Sequence, residues 1–183
     1  MLLSVRLCNK SPDRLIGGKN RQIGCPVFMD QEKMDILNGS TCTEIGKTCV
    51  CANLRKADRL ITQTYDSFLR PSGLRSTQFG ILMMVKGFGR VTVTKLADWA
   101  IMDRTTVTRN LRLLEDRELV SIESGEDQRE RVVTLTDKGM KALVSALPCW
   151  EEAQQHVVEV FGRERSGRLV KELSTMVSVL RHS

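Results

Sequence analysis

The sequence predicts a mainly α-helical protein with a small β-hairpin wing (α+β): a winged helix-turn-helix whose N- and C-terminal helices form a dimerisation region. Three observations predict this fold. Two short helical segments meet at Met102 and Asp103, two β-prone runs follow them, and long helical repeats flank both. The predicted divisions are a flexible N-terminal extension (1–47), the first dimerisation helix (48–74), the winged helix-turn-helix domain (75–138) and the C-terminal dimerisation helices (139–183).

The first 47 residues mix glycine, proline and scattered charges without sustained periodicity. This composition predicts a flexible extension, because no face of it could pack against a core. Met29 and Met34 are alternative starts of the chain within this extension.

Two helices are predicted next. The first is capped by Thr48 and ends at Pro71 and Gly73, and the second is capped by Ser76 and ends at Gly87 and Gly89. The apolar positions of the first recur at helical spacing and are Leu54, Ala57, Ile61, Tyr65 and Phe68. The residues of the second that are predicted to face inward are Phe79, Leu82 and Met83.

A helix-turn-helix is predicted from Thr92, which caps a short helix, through the Met102/Asp103 turn into "DRTTVTRNLRLLEDRELV". Asp103 caps this second helix, whose apolar side consists of Val107, Leu111 and Leu114. The opposite side carries Thr105, Thr108, Arg109 and Arg112. Such a face is usually solvated, but its place as the second helix of a helix-turn-helix favours contact with the DNA major groove.

The distribution of charge supports this interpretation more than its total does. The formal net charge is +6 and the isoelectric point about 9.2, which favour an acidic partner. Residues 75–138, however, hold eleven basic and ten acidic residues, a net of +1. Residues 104–112 contain three arginines and no acid. The acids Glu115, Asp116 and Glu118 are expected to face away from a bound phosphate backbone.

A hairpin is predicted from "LVSI" and "RVVTL", which flank a polar turn containing Gly125. Its arginines are placed to reach the minor groove or its phosphates. Thr136 caps a further long helix, in which Pro148 imposes a kink or break and which Gly162 closes. The last segment repeats apolar residues at Leu169, Leu173, Met176 and Leu180. Since the terminal helices cannot form a core alone, a second copy is expected to cover them in a homodimer.

Other classes of function lack their sequence patterns. No apolar run approaches the ~18 residues of a membrane span, and the N-terminus lacks the pattern of a secretory signal, so a cytoplasmic location is predicted. The histidines, His156 and His182, form no catalytic or metal-binding motif, and we predict no enzyme activity and no cofactor. The spacing of Cys42, Cys49 and Cys51 does not suit zinc.

Residues 49–183 resemble the MarR family of bacterial transcriptional regulators. "NLRKADRLITQTYDSFLRPSGLRSTQF" is similar to the family's first helix and the start of its second, "DRTTVTRNLRLLEDRELV" to its recognition helix, and "DQRERVVTLTDKG" to its wing. The resemblance implies a homodimer that binds double-stranded, pseudo-palindromic promoter DNA, with release by a small-molecule effector or by oxidation in many members. The alternative is a winged helix that only docks proteins.

The DNA-binding residues expected from the helix face, the wing and the resemblance are Arg104, Thr105, Thr106, Thr108, Arg109, Arg112, Arg129 and Arg131. The resemblance also implies that Asp127 braces the wing by pairing with a nearby arginine. Two positions depart from the family, which usually has an apolar residue where Asn110 stands and a polar one where Trp99 stands.

Two sensing sites are hypotheses. The candidate effector pocket consists of Tyr65, Met83, Met84 and Trp150, although such residues are more often core. Cys49 and Cys51 are the candidate redox residues, because a helix N-terminus favours a thiolate. Cys51 is predicted to flank the apolar face and Cys49 to point outward, so that pairing requires unwinding and inert thiols are favoured.

Overall fold

A computed structural model describes residues 39–182 of the chain. The chain divides between Lys47 and Thr48 into two units, and the first described element is helix α1 (Gly39–Thr48). The prediction that residues 39–47 are flexible is therefore wrong, because these residues are helical. None of them is buried. Their threonines and glycines are weak helix formers, so a helix could not be predicted here from helix propensity. Residues 1–38, including Met29 and Met34, lie outside the described residues.

The second unit contains the predicted winged helix-turn-helix between long helices. Its elements, in order, are α2 (Val50–Leu69), a 3₁₀ turn (Arg70–Ser72), α3 (Ser76–Phe88), β1 (Arg90–Thr92), α4 (Val93–Ala100), α5 (Arg104–Glu115), β2 (Val120–Ser124), β3 (Arg131–Leu135), α6 (Asp137–Phe161) and α7 (Arg163–Arg181). The predicted fold class, mainly α with a β-hairpin wing, is confirmed.

The strands form an antiparallel sheet in the order β1-β3-β2. The hairpin of β2 and β3 was predicted. In the structure, Ile122 of β2 lies opposite Val133 of β3. Strand β1 was not predicted, because three residues are too short to show alternation. It adds Val91 opposite Val133 and so attaches the wing to the start of α4.

The core lies between the helix-turn-helix and the sheet. The predicted apolar side of α5 is confirmed, since Val107, Leu111 and Leu114 are each 0% exposed. The surrounding residues with the same full burial include Leu69, Leu82, Val85, Leu96, Val133 and Ala146. This burial, at about 25 cal/mol per Å² of apolar surface, is the main term that holds α5 in place.

Three of the predicted helix caps are confirmed. The side chains of Thr92, Asp103 and Thr136 accept hydrogen bonds from backbone N–H groups three residues later, at 3.2, 2.8 and 2.9 Å. The predicted cap Ser76 is wrong, because α3 begins at Ser76 itself and Arg75 is the capping position. The N–H of Ser76 is instead bound by Asp66 from α2.

Two further details of the prediction need correction. The break at Pro148 does not occur, because α6 runs through it from Asp137 to Phe161. Met83 was predicted to face inward with Phe79 and Leu82 but is 45% exposed, whereas its neighbours Ile81 and Val85 are buried. The buried stripe of α3 is therefore rotated relative to the prediction.

The long helices at the two ends keep apolar faces exposed within a single chain. On α2, Leu60 and Ile61 are exposed, and α7 has no buried residue and exposes Val177 and Leu180. Exposed apolar faces along helices are typical of surfaces that another chain covers.

Gly139 lies where α6 passes close to the residue before β2 and to the end of β3. A Cβ added there would lie 1.9 Å from the carbonyl oxygen of Leu119 and 2.8 Å from Cδ1 of Leu135. We expect Gly139→Ala to lower the free energy of unfolding by about 1–3 kcal/mol, because the backbone would have to move apart. Urea denaturation followed by circular dichroism measures this change.

The matched control is Gly87→Ala in α3, where an added Cβ has nothing within 4 Å. It should raise stability by up to about 1 kcal/mol, since alanine is the better helix former. Equal stability of Gly139→Ala and the unmodified chain would contradict the close approach.

Candidate nucleic-acid interface

The outer face of α5 carries the predicted groove-facing residues. Arg104, Thr105, Arg109 and Arg112 are exposed, and Thr108 is half-buried with its hydroxyl donated to the carbonyl of Arg104 at 2.7 Å. These residues stand opposite a face that is fully buried. The buried face therefore determines where the three arginines point.

The start of α5 is held by Asp103. Its Oδ1 accepts the backbone N–H of Thr106 at 2.8 Å, and its Oδ2 accepts the Thr106 hydroxyl at 2.5 Å. The hydroxyl first, and then the backbone N–H, hold the pKa of Asp103 below its usual value. Thr106, predicted as a DNA contact, therefore uses its hydroxyl in the cap rather than on the open face.

The turn before α5 is tight. Ile101 ends α4 in the left-handed conformation at φ 53°, and the N–H of Met102 donates to the carbonyl of Ala97 at 3.0 Å. Met102 packs against the core while Ile101 is 57% exposed. A branched residue adopts this backbone angle only at a cost of about 1–2 kcal/mol, so packing and hydrogen bonding must enforce it.

The wing presents its arginines at and beside the hairpin turn. Arg129 and Arg131 are exposed, and Nη1 of Arg131 donates to Oγ of Ser124 at 3.2 Å. Asp127 braces the turn differently from the prediction, because its Oδ1 accepts the backbone N–H of Arg129 at 2.9 Å. Among the described residues Asp127 forms no ion pair with an arginine. The guanidinium of Arg129 is consequently not held by Asp127.

Two shallow hollows lie on either side of the arginine row of α5. The first, of about 310 Å³, lies between α5 and the wing, and its polar lining is Arg104, Thr108, Arg112, Glu115 and Arg131. The second is lined by Arg104, Thr105, Thr108, Arg109, Arg112, Leu113 and Asp116. The structure thus brings the predicted helix residues and one wing arginine onto a single surface.

The prediction that the acids face away from this surface is wrong for two of them. Glu115 lines the first hollow and Asp116 the second, because the last turn of α5 continues the outer face. Glu118 does turn aside, and its salt bridge to Lys138 at 2.6 Å lowers the pKa of its carboxyl.

Asn110 and Trp99, the two departures from the family pattern, each have a defined partner in the structure. Asn110 is half-buried and donates from Nδ2 to the carbonyl of Thr106 at 2.9 Å, while its apolar neighbours on α5 remain fully buried. Trp99 is 59% exposed and packs edge-on against Phe88, with ring centroids 5.8 Å apart. Asn110 therefore does not prevent α5 from seating, and Trp99 packs at the edge of the core.

An apolar pocket of about 310 Å³ lies between α2, α3 and α6. It brings together three of the four predicted effector residues, and its lining is Tyr65, Ser76, Phe79, Gly80, Met83, Leu147 and Trp150. The fourth, Met84, does not line it and packs against the core. The sequence pattern did not assign Phe79 and Leu147 to the pocket, because apolar residues that face a core and those that line a pocket have the same helical spacing.

The pocket has an ordered aromatic wall and two hydroxyl groups. The rings of Phe79 and Trp150 are nearly parallel at 16° with centroids 6.1 Å apart. The hydroxyl of Tyr65 donates to Oε1 of Gln154, and partial burial raises the pKa of this phenol. Ser76 supplies the other hydroxyl, and no charged side chain of residues 39–182 lines the pocket.

The two candidate redox cysteines differ from their predicted positions. Helix α2 begins at Val50, so Cys49 is its capping residue and Thr48 is the last residue of α1. Cys49 is half-buried and Cys51 exposed, the reverse of the prediction. The shift arises because the preceding residues form a helix of their own, which moves the cap of α2 by one position, from Thr48 to Cys49.

Between residues 39 and 182, no helix combines the length and apolarity needed to cross a membrane. The same residues contain no group of three or more histidine, cysteine or acidic side chains that could hold a metal ion.

Comparison with known proteins supports the geometry. The MarR family profile matches residues 72–130, from the α2–α3 connection to the wing. The crystal structure of the M. tuberculosis transcriptional regulator MosR in complex with DNA is 36% identical to the chain, has a TM-score of 0.64, and aligns over 73% of this chain and 98% of its own. The chain belongs to the MarR family. Within the family's winged-helix fold, α5 is the second helix of the helix-turn-helix and β2–β3 form the wing.

Other relatives agree at greater distance. The uncharacterised HTH-type transcriptional regulator YwoH of Bacillus subtilis strain 168 is 32% identical over 88 residues, which are 48% of this chain and 64% of YwoH, so the chain spans less than two thirds of that protein. The crystal structure of a mutant E. coli MarR complexed with operator DNA has a TM-score of 0.65 over 72% of this chain and 96% of its own. At 17% identity it shows the shared MarR fold alone.

The cysteine positions lead to a prediction about oxidation. Because Cys49 caps α2 and Cys51 lies two residues later in its first turn, the two thiols face different sides and cannot pair without unwinding the helix, so we expect peroxide to leave retardation of DNA by the chain unchanged. The measurement compares peroxide-treated wild type with Cys49→Ser and Cys51→Ser variants. Loss of DNA binding in the wild type alone would instead show that these thiols sense oxidants.

Proposed function

We propose that this MarR-family chain is a sequence-specific transcriptional regulator, a repressor, which binds a pseudo-palindromic operator as a homodimer. The observation that carries the proposal is the face of α5, where Arg104, Arg109 and Arg112 are exposed opposite fully buried side chains. A capped helix with one buried side and a basic outer side suits insertion into a major groove.

The DNA contacts divide by position. Arg109 and Arg112 lie within α5 and are proposed to reach base edges, with Arg104, Thr105 and Thr108 beside them. Arg129 and Arg131 on the wing are proposed to contact the minor groove or its phosphates. The similar regulator MosR has been crystallised in complex with DNA, which supports DNA as the partner of these residues.

The homodimer is proposed from the exposed apolar faces of α2 and α7. A second copy of the chain covers such faces most economically, and a two-fold dimer presents two recognition helices to the same side of a duplex. A regulator that occupies promoter DNA blocks transcription, which is the basis for proposing repression. Acting on a bacterial chromosome places it in the cytoplasm.

A protein-docking winged helix is the competing function. The near-neutral net charge of residues 75–138 is what favours it. The arginines are nonetheless concentrated on one exposed face rather than spread over the domain, and this arrangement favours DNA.

The test uses a palindromic operator selected from random duplexes by the purified chain. We expect a dimer by sedimentation, bound to half-sites about one helical turn, ~10 base pairs, apart. Arg109→Ala and Arg112→Ala should each weaken operator binding by about 1–3 kcal/mol and relax base preference, because a bidentate arginine–guanine contact is lost. Gel retardation across base variants measures both effects.

Arg129→Ala serves as the comparison, since a wing contact should weaken all sequences alike and reduce the salt dependence of binding. A monomer that binds the operator tightly, or α5 variants that behave like wild type, would contradict the proposal. Salt-independent retention of a protein instead of DNA would favour the docking function.

We propose further that the apolar pocket receives a small aromatic effector that weakens DNA binding. The parallel rings of Phe79 and Trp150 provide a flat wall. The hydroxyls of Tyr65 and Ser76 donate to Gln154 and Asp66, and their oxygens can accept a hydrogen bond that orients a polar substituent. Because no cationic side chain in the described part of the chain lines the pocket, an uncharged aromatic suits it better than a carboxylate.

Tryptophan fluorescence tests the pocket. In a Trp99→Phe chain, Trp150 is the remaining tryptophan of the two in the sequence, and 2-naphthol should quench it and release the operator, whereas 2-naphthoate should act much more weakly. Gly80→Leu should abolish both effects by filling the pocket, since an added Cβ at Gly80 meets nothing within 4 Å. Quenching that survives in Gly80→Leu would place the ligand elsewhere.

A further inference from the structure

The connection between α2 and α3 joins the proposed dimer arm to the winged domain, and it is a built structure rather than a free loop. It contains the 3₁₀ turn Arg70–Ser72, Gly73 in the left-handed conformation at φ 71°, and Leu74 with 2% exposure. Oγ of Ser72 donates to the carbonyl of Leu69 at 2.7 Å and accepts the N–H of Leu74 at 3.3 Å. The segment therefore has one preferred conformation.

On one side, this connection is fixed by Asp66 of α2. Its Oδ1 accepts both the backbone N–H and the hydroxyl of Ser76, each at 2.7 Å. Ser76 is the first residue of α3, so Asp66 satisfies an N–H that the helix itself cannot. A carboxylate at this position also interacts favourably with the positive end of the α3 dipole. The dimer-arm helix thus holds the first helix of the winged domain directly.

On the other side, the connection is fixed from the recognition helix. Arg117 follows the end of α5, and its Nη1 donates to the carbonyl of Gly73 at 3.0 Å. This bond spans 44 positions of sequence. Asp66 and Arg117 therefore clamp the same short connection at two points, Asp66 at its junction with α3 and Arg117 at Gly73 within it.

We propose that Asp66 and Arg117 are positioning residues for operator binding, which fix the angle between each winged domain and the dimer arms. The proposal rests on the proposed function, since the angle matters only if a dimer reads two half-sites. The second half-site is bound at high effective concentration only when the distance between the recognition helices matches the DNA. A loosened connection spreads that distance over a range and weakens binding at the optimal spacing.

The clamp acts on geometry rather than on the core. Arg117 is exposed, and Asp66 bonds polar groups at the edge of the winged domain. The buried cluster around α5 contains neither residue. Their removal should therefore change how the two recognition helices are spaced and leave each helix seated as before.

The experiment measures binding to a single half-site and to a series of operators whose half-sites are separated by stepwise longer or shorter spacers. Wild type should show one sharp optimum. Asp66→Ala and Arg117→Gln should bind about tenfold more weakly at that optimum and show a broader profile, with unchanged affinity for the single half-site. Asp66→Asn should behave like wild type, because an amide oxygen can still accept both hydrogen bonds from Ser76. Circular dichroism confirms that each variant is folded.

The outcomes separate the clamp from the proposed function. Folded Asp66→Ala and Arg117→Gln chains with the wild-type spacing profile would overturn the clamp, and so would an Arg117→Gln chain that loses half-site affinity, since Arg117 would then be a DNA contact. If Asp66→Ala does not fold, the Arg117→Gln chain alone tests the clamp, because the exposed side chain of Arg117 lies outside the core. A wild type without any spacing preference would overturn dimeric operator binding itself, and the clamp with it.

Discussion

The burial of one face of α5 is the constraint on which the rest of the structure depends. Val107, Leu111 and Leu114 are completely enclosed, so the helix cannot rotate about its axis without exposing them. Truncating one such leucine to alanine costs about 2–5 kcal/mol, a large part of the roughly 5–15 kcal/mol that stabilises a typical domain. The direction of the arginines is thus fixed by hydrophobic packing, although the arginines themselves form few contacts with the protein.

Local hydrogen bonds then set the details that packing leaves free. Asp103 fixes where α5 begins, and Asp127 fixes the turn of the wing, each by accepting a backbone N–H a few residues away. The acids Glu115 and Asp116 stand beside the arginines and offset part of their positive charge. Such a surface attracts phosphate less strongly than the arginines alone would, so base-specific contacts contribute a larger share of the binding of the correct sequence.

The sequence was informative wherever the structure depends on near neighbours. The two faces of α5 follow from helical period, and the caps Thr92, Asp103 and Thr136 act over three residues. Contacts between distant positions gave no such signal, as the pairing of β1 with β3 and the bond from Asp66 to Ser76 show. The candidate site residues on α5 could be predicted because they lie on one helix. The pocket combines residues of three helices, and the helical period alone did not predict accurately how each of these helices is rotated about its axis.

The short sheet has a consequence for the behaviour of the protein at high concentration. Its order leaves β1 and β2 at the edges of the described sheet, with three and five residues respectively. Exposed strand edges are templates for pairing with other chains, and brevity and charge are the usual protection. Strand β2 carries the exposed Glu123, and β1 begins with the exposed Arg90. The wing can therefore stay open toward solvent without polymerising edge to edge.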